Sequence, residues 1–209
     1  MLHLEGGLEQ QETLFRIGEA HPAAIILGTP LSATQLNATV AGVAGGTPPG
    51  ALTYNPFAGT VLGAGANQAL KVDAAATINY NAATKTVHIN VNYIFVGFLP
   101  PIDNLPMTNS SKAGQTIPVK WQLKDAAGNL ISDVGTLAPN GLTSGAITCG
   151  SAPVDVIEEL SAPGATVFRF DGTQFIYNWQ TSKPWAGGCR TLQVRLNDGT
   201  SHFAQFTFK

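Results

Sequence analysis

Charge is scarce in this sequence: Lys, Arg, Asp and Glu together make up 11% of its 209 residues, and the net charge is −2. Neither nucleic acid nor an anionic membrane has an electrostatic reason to bind such a chain. No run approaches the ~20 apolar residues of a membrane span, so membrane insertion is not expected. The opening Met1-Leu2-His3-Leu4-Glu5-Gly6 lacks the basic and apolar regions of a signal peptide. If the chain is extracellular, it is expected to be a piece of a longer exported protein, to start further upstream, or to leave the cell by another route. Glutamate is missing from residue 20 through residue 157. The four that precede this gap, Glu5, Glu9, Glu12 and Glu19, mark residues 1–20 as an arm distinct from the rest of the chain.

Cysteine is nearly absent. Cys149 and Cys189 are the only two, and they can be paired, part of a metal site, or idle. Two thiolates are too few for a structural zinc site, and no histidine lies at ligand spacing from either. We read them as a disulfide of the kind found in extracellular β modules. The four histidines, His3, His21, His88 and His202, contain no pair at i, i+2 or i, i+4, so no metal and no other cofactor is expected.

What the chain does contain is turn formers, with 23 Gly and 13 Pro, and short runs of period-two alternation. That combination describes an all-β protein. The C-terminal 36 residues read most clearly. Phe175, Tyr177 and Trp179 share one parity, as do Leu192, Val194 and Leu196, and then Ala204, Phe206 and Phe208. A turn at Asn197-Asp198-Gly199-Thr200, with positive φ supplied by Asp-Gly, completes an expected three-stranded meander with one apolar face. Upstream, Ile117, Val119, Trp121 and Leu123 alternate with Pro118, Lys120, Gln122 and Lys124. Trp121 is therefore expected in the core.

Residues 21–92 show the same style at smaller scale. Ala24 to Leu27 is a short apolar strand; Leu36, Ala38 and Val40 alternate with Gln35, Asn37 and Thr39; Leu70 and Val72 flank Lys71; Val87, Ile89 and Val91 alternate with Thr86, His88 and Asn90. The wording GTPLSATQLNATVAG, LTYNPFAGTVLGAGANQAL and AATINYNAATKTVHINV resembles the bacterial immunoglobulin-like repeats of large secreted and surface proteins. Residues 93–209, with FVGFLPPIDN, AGQTIPVKWQLKDAAGN and the C-terminal stretch, are similar to the PxKF-type domain of bacterial secreted proteins. The motif here is Pro118-Val119-Lys120-Trp121, with Trp in place of Phe. These resemblances imply two tandem immunoglobulin-like β-sandwiches and no known active site. The parity of Val87, Ile89 and Val91 runs on into Tyr93 and Phe95 without a flexible linker.

Candidate sites are few. Asp155, Glu158 and Glu159 are the only acidic cluster within a domain and read as a solvated edge, with Ca²⁺ as the sharper alternative, although D-x-D-x-D-G spacing is missing. His88 points to a solvent face, while His202 shares the parity of Ala204, Phe206 and Phe208. Asp125 and Asp171 read as turn residues. Trp185, in the loop after Ser182-Lys183-Pro184, is the candidate exposed aromatic for sugar binding; otherwise it packs over the neighbouring disulfide. Asn37-Ala38-Thr39 and Asn109-Ser110-Ser111 match the glycosylation sequon by chance. In the arm, Thr13, Phe15 and Ile17 share one parity, so Leu14, Phe15 and Ile17 form a candidate strand for contacting a partner molecule, which would build a head-to-tail filament. The expected role is a non-enzymatic structural or adhesive module of an extracellular or cell-surface bacterial protein. Its partners would be other protein modules or copies of itself, and possible glycans; the alternative is a carbohydrate-binding or accessory module of a secreted hydrolase.

Overall fold

The computed structural model describes residues 14–16, 22–41, 50–157 and 168–209, with 14–16 and 41 given by their backbone alone. The chain divides into two compact units, Met1–Val91 and Asn92–Lys209. Its described elements are strands and two short 3-10 turns.

The first unit contains β1 (Leu14–Arg16), β2 (Ile25–Ile26), β3 (Thr39–Ala41), β4 (Leu52–Asn55), β5 (Gly65–Ala74) and β6 (Ala83–Asn92). Four of these form a sheet in the order β2-β6-β5-β4, and β1 pairs with β3 as a separate ladder. Alternation in β5 and β6 places Leu70, Val72, Ile89 and Val91 on the buried face, each at most 4% exposed. Ile25, Leu31 and Leu36 cover that face. One expected strand is shortened by a turn at its start. Ser32 and Gln35 form a capping-box pair: Gln35 Oε1 accepts from the Ser32 N–H at 3.0 Å and Ser32 Oγ accepts from the Thr34 N–H at 3.2 Å. The Leu36 N–H then bonds back to the Ser32 carbonyl. This local bonding wins over the alternation of residues 35–40, and only Thr39–Ala41 is extended.

The second unit is a sandwich of two sheets. Its strands are β7 (Ile94–Leu99), β8 (Thr108–Ser111), β9 (Thr116–Lys124), β10 (Leu137–Ile147), β11 (Val154–Val156), β12 (Arg169–Phe170), β13 (Phe175–Gln180), β14 (Cys189–Leu196) and β15 (Ser201–Phe208). One sheet has the order β12-β13-β9-β7 and the other β10-β14-β15-β8-β11. The described residues of both units are thus all-β, and those of the second form a β-sandwich. In β9, Ile117, Val119, Trp121 and Leu123 are all 0% exposed, and they share one core with Leu192, Val194 and Phe206 of the opposite sheet. Burying each such side chain stabilises the fold by about 1.5 to 3 kcal/mol. Pro118 is tolerated in this central strand because β7 pairs only with Lys120–Lys124. At Pro118 the flank toward β7 has no ladder to which an N–H could donate.

Two expectations for the C-terminus change. The meander is a hairpin, β14–β15, preceded by a strand that belongs to the other sheet, because β13 pairs with β9. The eight residues between β13 and β14, with a 3-10 turn at Lys183–Trp185, carry the chain from one layer to the other. β13 is also covered on both faces, since Ile176 and Asn178 are as buried as Trp179. The hairpin turn differs too: Gly199 has φ +90° while Asp198 does not leave the ordinary region. This is the pattern of a type I turn closed by a left-handed glycine.

The chain passes from β10, at one edge of the five-stranded sheet, to β11 at the opposite edge through only Thr148–Pro153. Those residues must span four inter-strand gaps of roughly 4.8 Å each, so they run as a strap. The expected disulfide ties that strap to β14: Cys149 and Cys189 are bonded, with Cα atoms 5.2 Å apart. Closing a loop with a sequence separation of 40 contributes about 4 kcal/mol by the chain-entropy model.

Trp121 stacks on Phe168 and Phe175, with ring centroids 5.4 and 5.8 Å away. Its indole N–H is buried without a hydrogen-bond partner. Trp121→Ala is expected to cost about 3 to 5 kcal/mol in urea denaturation. Trp121→Phe is expected to cost far less, because it keeps a stacked ring and removes an unsatisfied donor. Equal losses for the two variants would refute this account of the position.

Candidate functional site

Trp185 ends the 3-10 turn Lys183–Trp185, where Pro184 fixes the backbone at the entry. It is half-buried, with its ring centroid 5.8 Å from Trp179 and 5.7 Å from Phe208. The guanidinium carbon of Arg190 lies 3.9 Å from the Trp185 ring centroid, a cation–π contact. The ring therefore rests on the aromatic end of the core, with an arginine over one face. Trp179 is in the core and Tyr177 packs against it.

A second constellation surrounds the start of the second unit. Asp198 is 1% exposed, and its carboxylate accepts from the Tyr93 N–H at 2.8 Å, the Thr200 N–H at 2.8 Å and the Thr200 hydroxyl at 2.7 Å. The hairpin turn thus holds the first residues of the unit by a side chain where no strand partner reaches. Tyr93 adds a hydroxyl contact to Asn197 Oδ1 at 3.0 Å, and Asn197 binds the Gly135 carbonyl. Since the Thr200 hydroxyl proton is directed at Asp198, His202 Nε2, 3.1 Å from Thr200 Oγ1, must carry the proton of that contact. The His202 ring is stacked flat on Phe95, centroids 3.7 Å apart. Burial pushes the His202 pKa below its ordinary 6.5, opposed by the Asp198 charge. Nearby, burial pushes the Tyr93 phenol up; its Asn197 hydrogen bond works against that shift, and the Asp198 and Asp133 charges reinforce it.

Of the acidic residues, Asp155 meets Asp103, a partner not singled out in the sequence. Asp103 stands in the loop before β8, and Asp155 on the edge strand β11; their hydrogen bond, with burial and charge repulsion, raises the Asp103 pKa. Glu158 and Glu159 lie outside the described residues. Among the described residues no three His, Cys, Asp or Glu side chains come together as a metal cage. Asp125 and Asp171 close turns by accepting N–H groups. The Asp171 pKa is held at about 2, first by the Thr173 N–H, then by Thr173 and Gln174 side-chain and backbone donors against a burial cost.

His88 is exposed, and His3 and His21 lie outside the described residues. Asn37 is exposed, whereas Asn109 is 1% exposed and its amide binds the Asp103 and Gln205 carbonyls. In the arm, Leu14 and Phe15 belong to β1, which pairs within the chain: Leu14 opposite Ala41, Phe15 opposite Val40, Arg16 opposite Thr39. Ile17 lies outside the described residues. A cavity of about 60 Å³ beneath the strap, bordered by Cys149, Val154 and Thr207, has room for ordered water and is well below the several hundred Å³ of a small-molecule site.

No family model and no curated protein matches the chain. Among solved structures it is similar to a chimeric titin Z1Z2-Z1Z2 tandem functionalised with a GRGDS peptide from fibronectin. The identity is 11%, over 94% of this chain and 99% of that one, with a TM-score of 0.30. It is also similar to domains 4 and 5 of the S-layer protein SbsC, at 13% identity over 68% of this chain and 58% of that one, with a TM-score of 0.29.

The His202 site has a pH signature. A base whose folded pKa lies below its unfolded 6.5 takes up its proton first in the unfolded chain, so its contribution is complete above 6.5 and is lost as pH falls. The stability of the second unit is expected to decline as pH falls below 6.5, with a component that His202→Gln abolishes. An unchanged pH profile in that variant would show that the stacked histidine does not titrate in this window.

Proposed function

We propose that this chain is a non-enzymatic structural or adhesive part of an extracellular or cell-surface bacterial protein. The reading joins the resemblance of residues 21–92 to bacterial immunoglobulin-like repeats with that of residues 93–209 to the PxKF-type domain. The observation that carries it is the Cys149–Cys189 bond, which fastens the strap between β10 and β11 to the sheet it crosses. Structural disulfides persist in oxidising compartments and are removed in reducing ones. A bond placed at a topological crossing, and not beside a reactive group, serves the integrity of the fold. The two sheets pack side chains to complete exclusion from water between them, which suits a part that transmits position or load.

The carbohydrate alternative needs aromatic rings open to stack on sugars, and Trp185, its best candidate, has Arg190 over one face and the Trp179 and Phe208 rings beside it. Contact with other protein modules is accordingly the reading we favour for its partners.

The test is to quench source cells with a thiol-alkylating reagent, fractionate them, and map both cysteines by mass spectrometry. The expected result is chain in the surface or medium fraction with Cys149 and Cys189 unalkylated until reduction. Chain confined to the cytoplasm, with both cysteines alkylated before reduction, would overturn the proposal.

A further inference from the structure

Sheet edges expose unpaired N–H and C=O groups, and proteins guard them with short strands, charges, prolines or bulges. Among the described residues, three of the four edges in the second unit are guarded. β11 has three residues and β12 two. β7 is bulged between Phe95 and Gly97, and the Asn104 amide occupies its edge, accepting from the Phe98 N–H at 2.8 Å and donating to the Phe98 carbonyl at 2.9 Å. The fourth edge, β10, is different. It is irregular only at its start, between Leu137 and Leu142, and from Leu142 to Ile147 it pairs with β14 residue by residue. No charged residue occurs from Val134 through Val154, and no proline from Asn140 through Ala152. Among the described residues, β14 is the one strand that pairs with it.

We propose that the free edge of β10 is an association surface whose partner is β10 of a second copy of this chain, in antiparallel register. Such pairing is isologous, so every group meets its own mate or that mate's neighbour. An edge carrying charge of one sign would repel itself; this one carries none. With the two-fold axis at Gly145, Thr143 stands opposite Ile147 of the partner copy and Ser144 opposite Ala146. These pairs are small or β-branched, which suits adjacent strands. A Cβ at Gly145 would meet nothing within 4 Å, so a side chain placed at the axis position fits without disturbing the fold. The arm is a weaker candidate for the same edge, because β1 is already paired with β3. The pairing joins two five-stranded sheets into one continuous sheet. It does not depend on where the protein resides, so its failure would leave the proposed function standing.

The experiment is sedimentation velocity of the full chain over a concentration series, with Gly145→Lys as the edge variant and Ala126→Lys, in an exposed turn, as the control. The expected result is a reversible dimer for the wild type and the control, and a monomer for Gly145→Lys, which sets two charges face to face at the axis. Should Gly145→Lys lose its near-UV circular dichroism, Thr143→Lys on the same edge is read in its place. Independently, Gly145→Cys is expected to give an intermolecular disulfide under mild oxidation, since residues facing each other at the axis fall within bonding range. A wild type that is monomeric at every concentration, or a dimer that survives the edge lysine, overturns the proposal. So does a dimer lost only on deleting residues 1–20.

Discussion

Ile117, Val119, Trp121 and Leu123 on β9 face Leu192, Val194 and Leu196 on β14 across the interior of the second unit, and none of the seven is more than 1% exposed. Every other feature of that unit depends on this closure. A strand carrying four large apolar side chains on one parity cannot remain in water, and a second strand of the same kind supplies the opposing layer. The turns, the strap and the polar contacts serve to bring β9 and β14 into register and hold them there.

The polar contacts do this in a consistent way. Where the backbone lacks a strand to pair with, a side chain supplies the missing hydrogen bonds. Asn104 does so for Phe98, Asn109 for Asp103 and Asp198 for Tyr93. Each leaves few backbone groups unsatisfied at a point where the chain changes direction, which is the condition for burying a loop end. The disulfide plays the covalent counterpart at the crossing from β10 to β11. These devices fix the boundaries of the sandwich, and the apolar faces stabilise its middle.

Strand positions with clean alternation were legible in the sequence. β5, β6, β9, β14 and β15 follow their apolar parity, and Trp121 lies in the core as its parity requires. β8 was not legible, because Thr108-Asn109-Ser110-Ser111 has no apolar residue; it is buried by its place between β15 and β11, with the Asn109 amide bonded to neighbouring main chain and the Ser110 hydroxyl left without a partner. The layer to which β13 belongs was also hidden. Parity reports which face a side chain takes but not which sheet receives the strand, and the eight-residue connection to β14 was the available sign that no tight hairpin forms. The Ser32–Gln35 spacing carried a turn signal that outweighed the alternation around it. Of the candidate sites, the Cys149–Cys189 pair was readable because two cysteines have one pairing. The Asp103–Asp155 contact was not, since it joins residues from a loop and an edge strand more than fifty positions apart.

The central claim is that β9 and β14 stabilise one another, so that the two sheets of the second unit open together. Native-state hydrogen exchange at increasing denaturant tests it most directly, because it reports an opening free energy for each amide. The account predicts that the slowest amides of β9, β13, β14 and β15 merge into a single isotherm at the global unfolding free energy of that unit. A separate isotherm for β9 and β13, at lower free energy than β14 and β15, would contradict it.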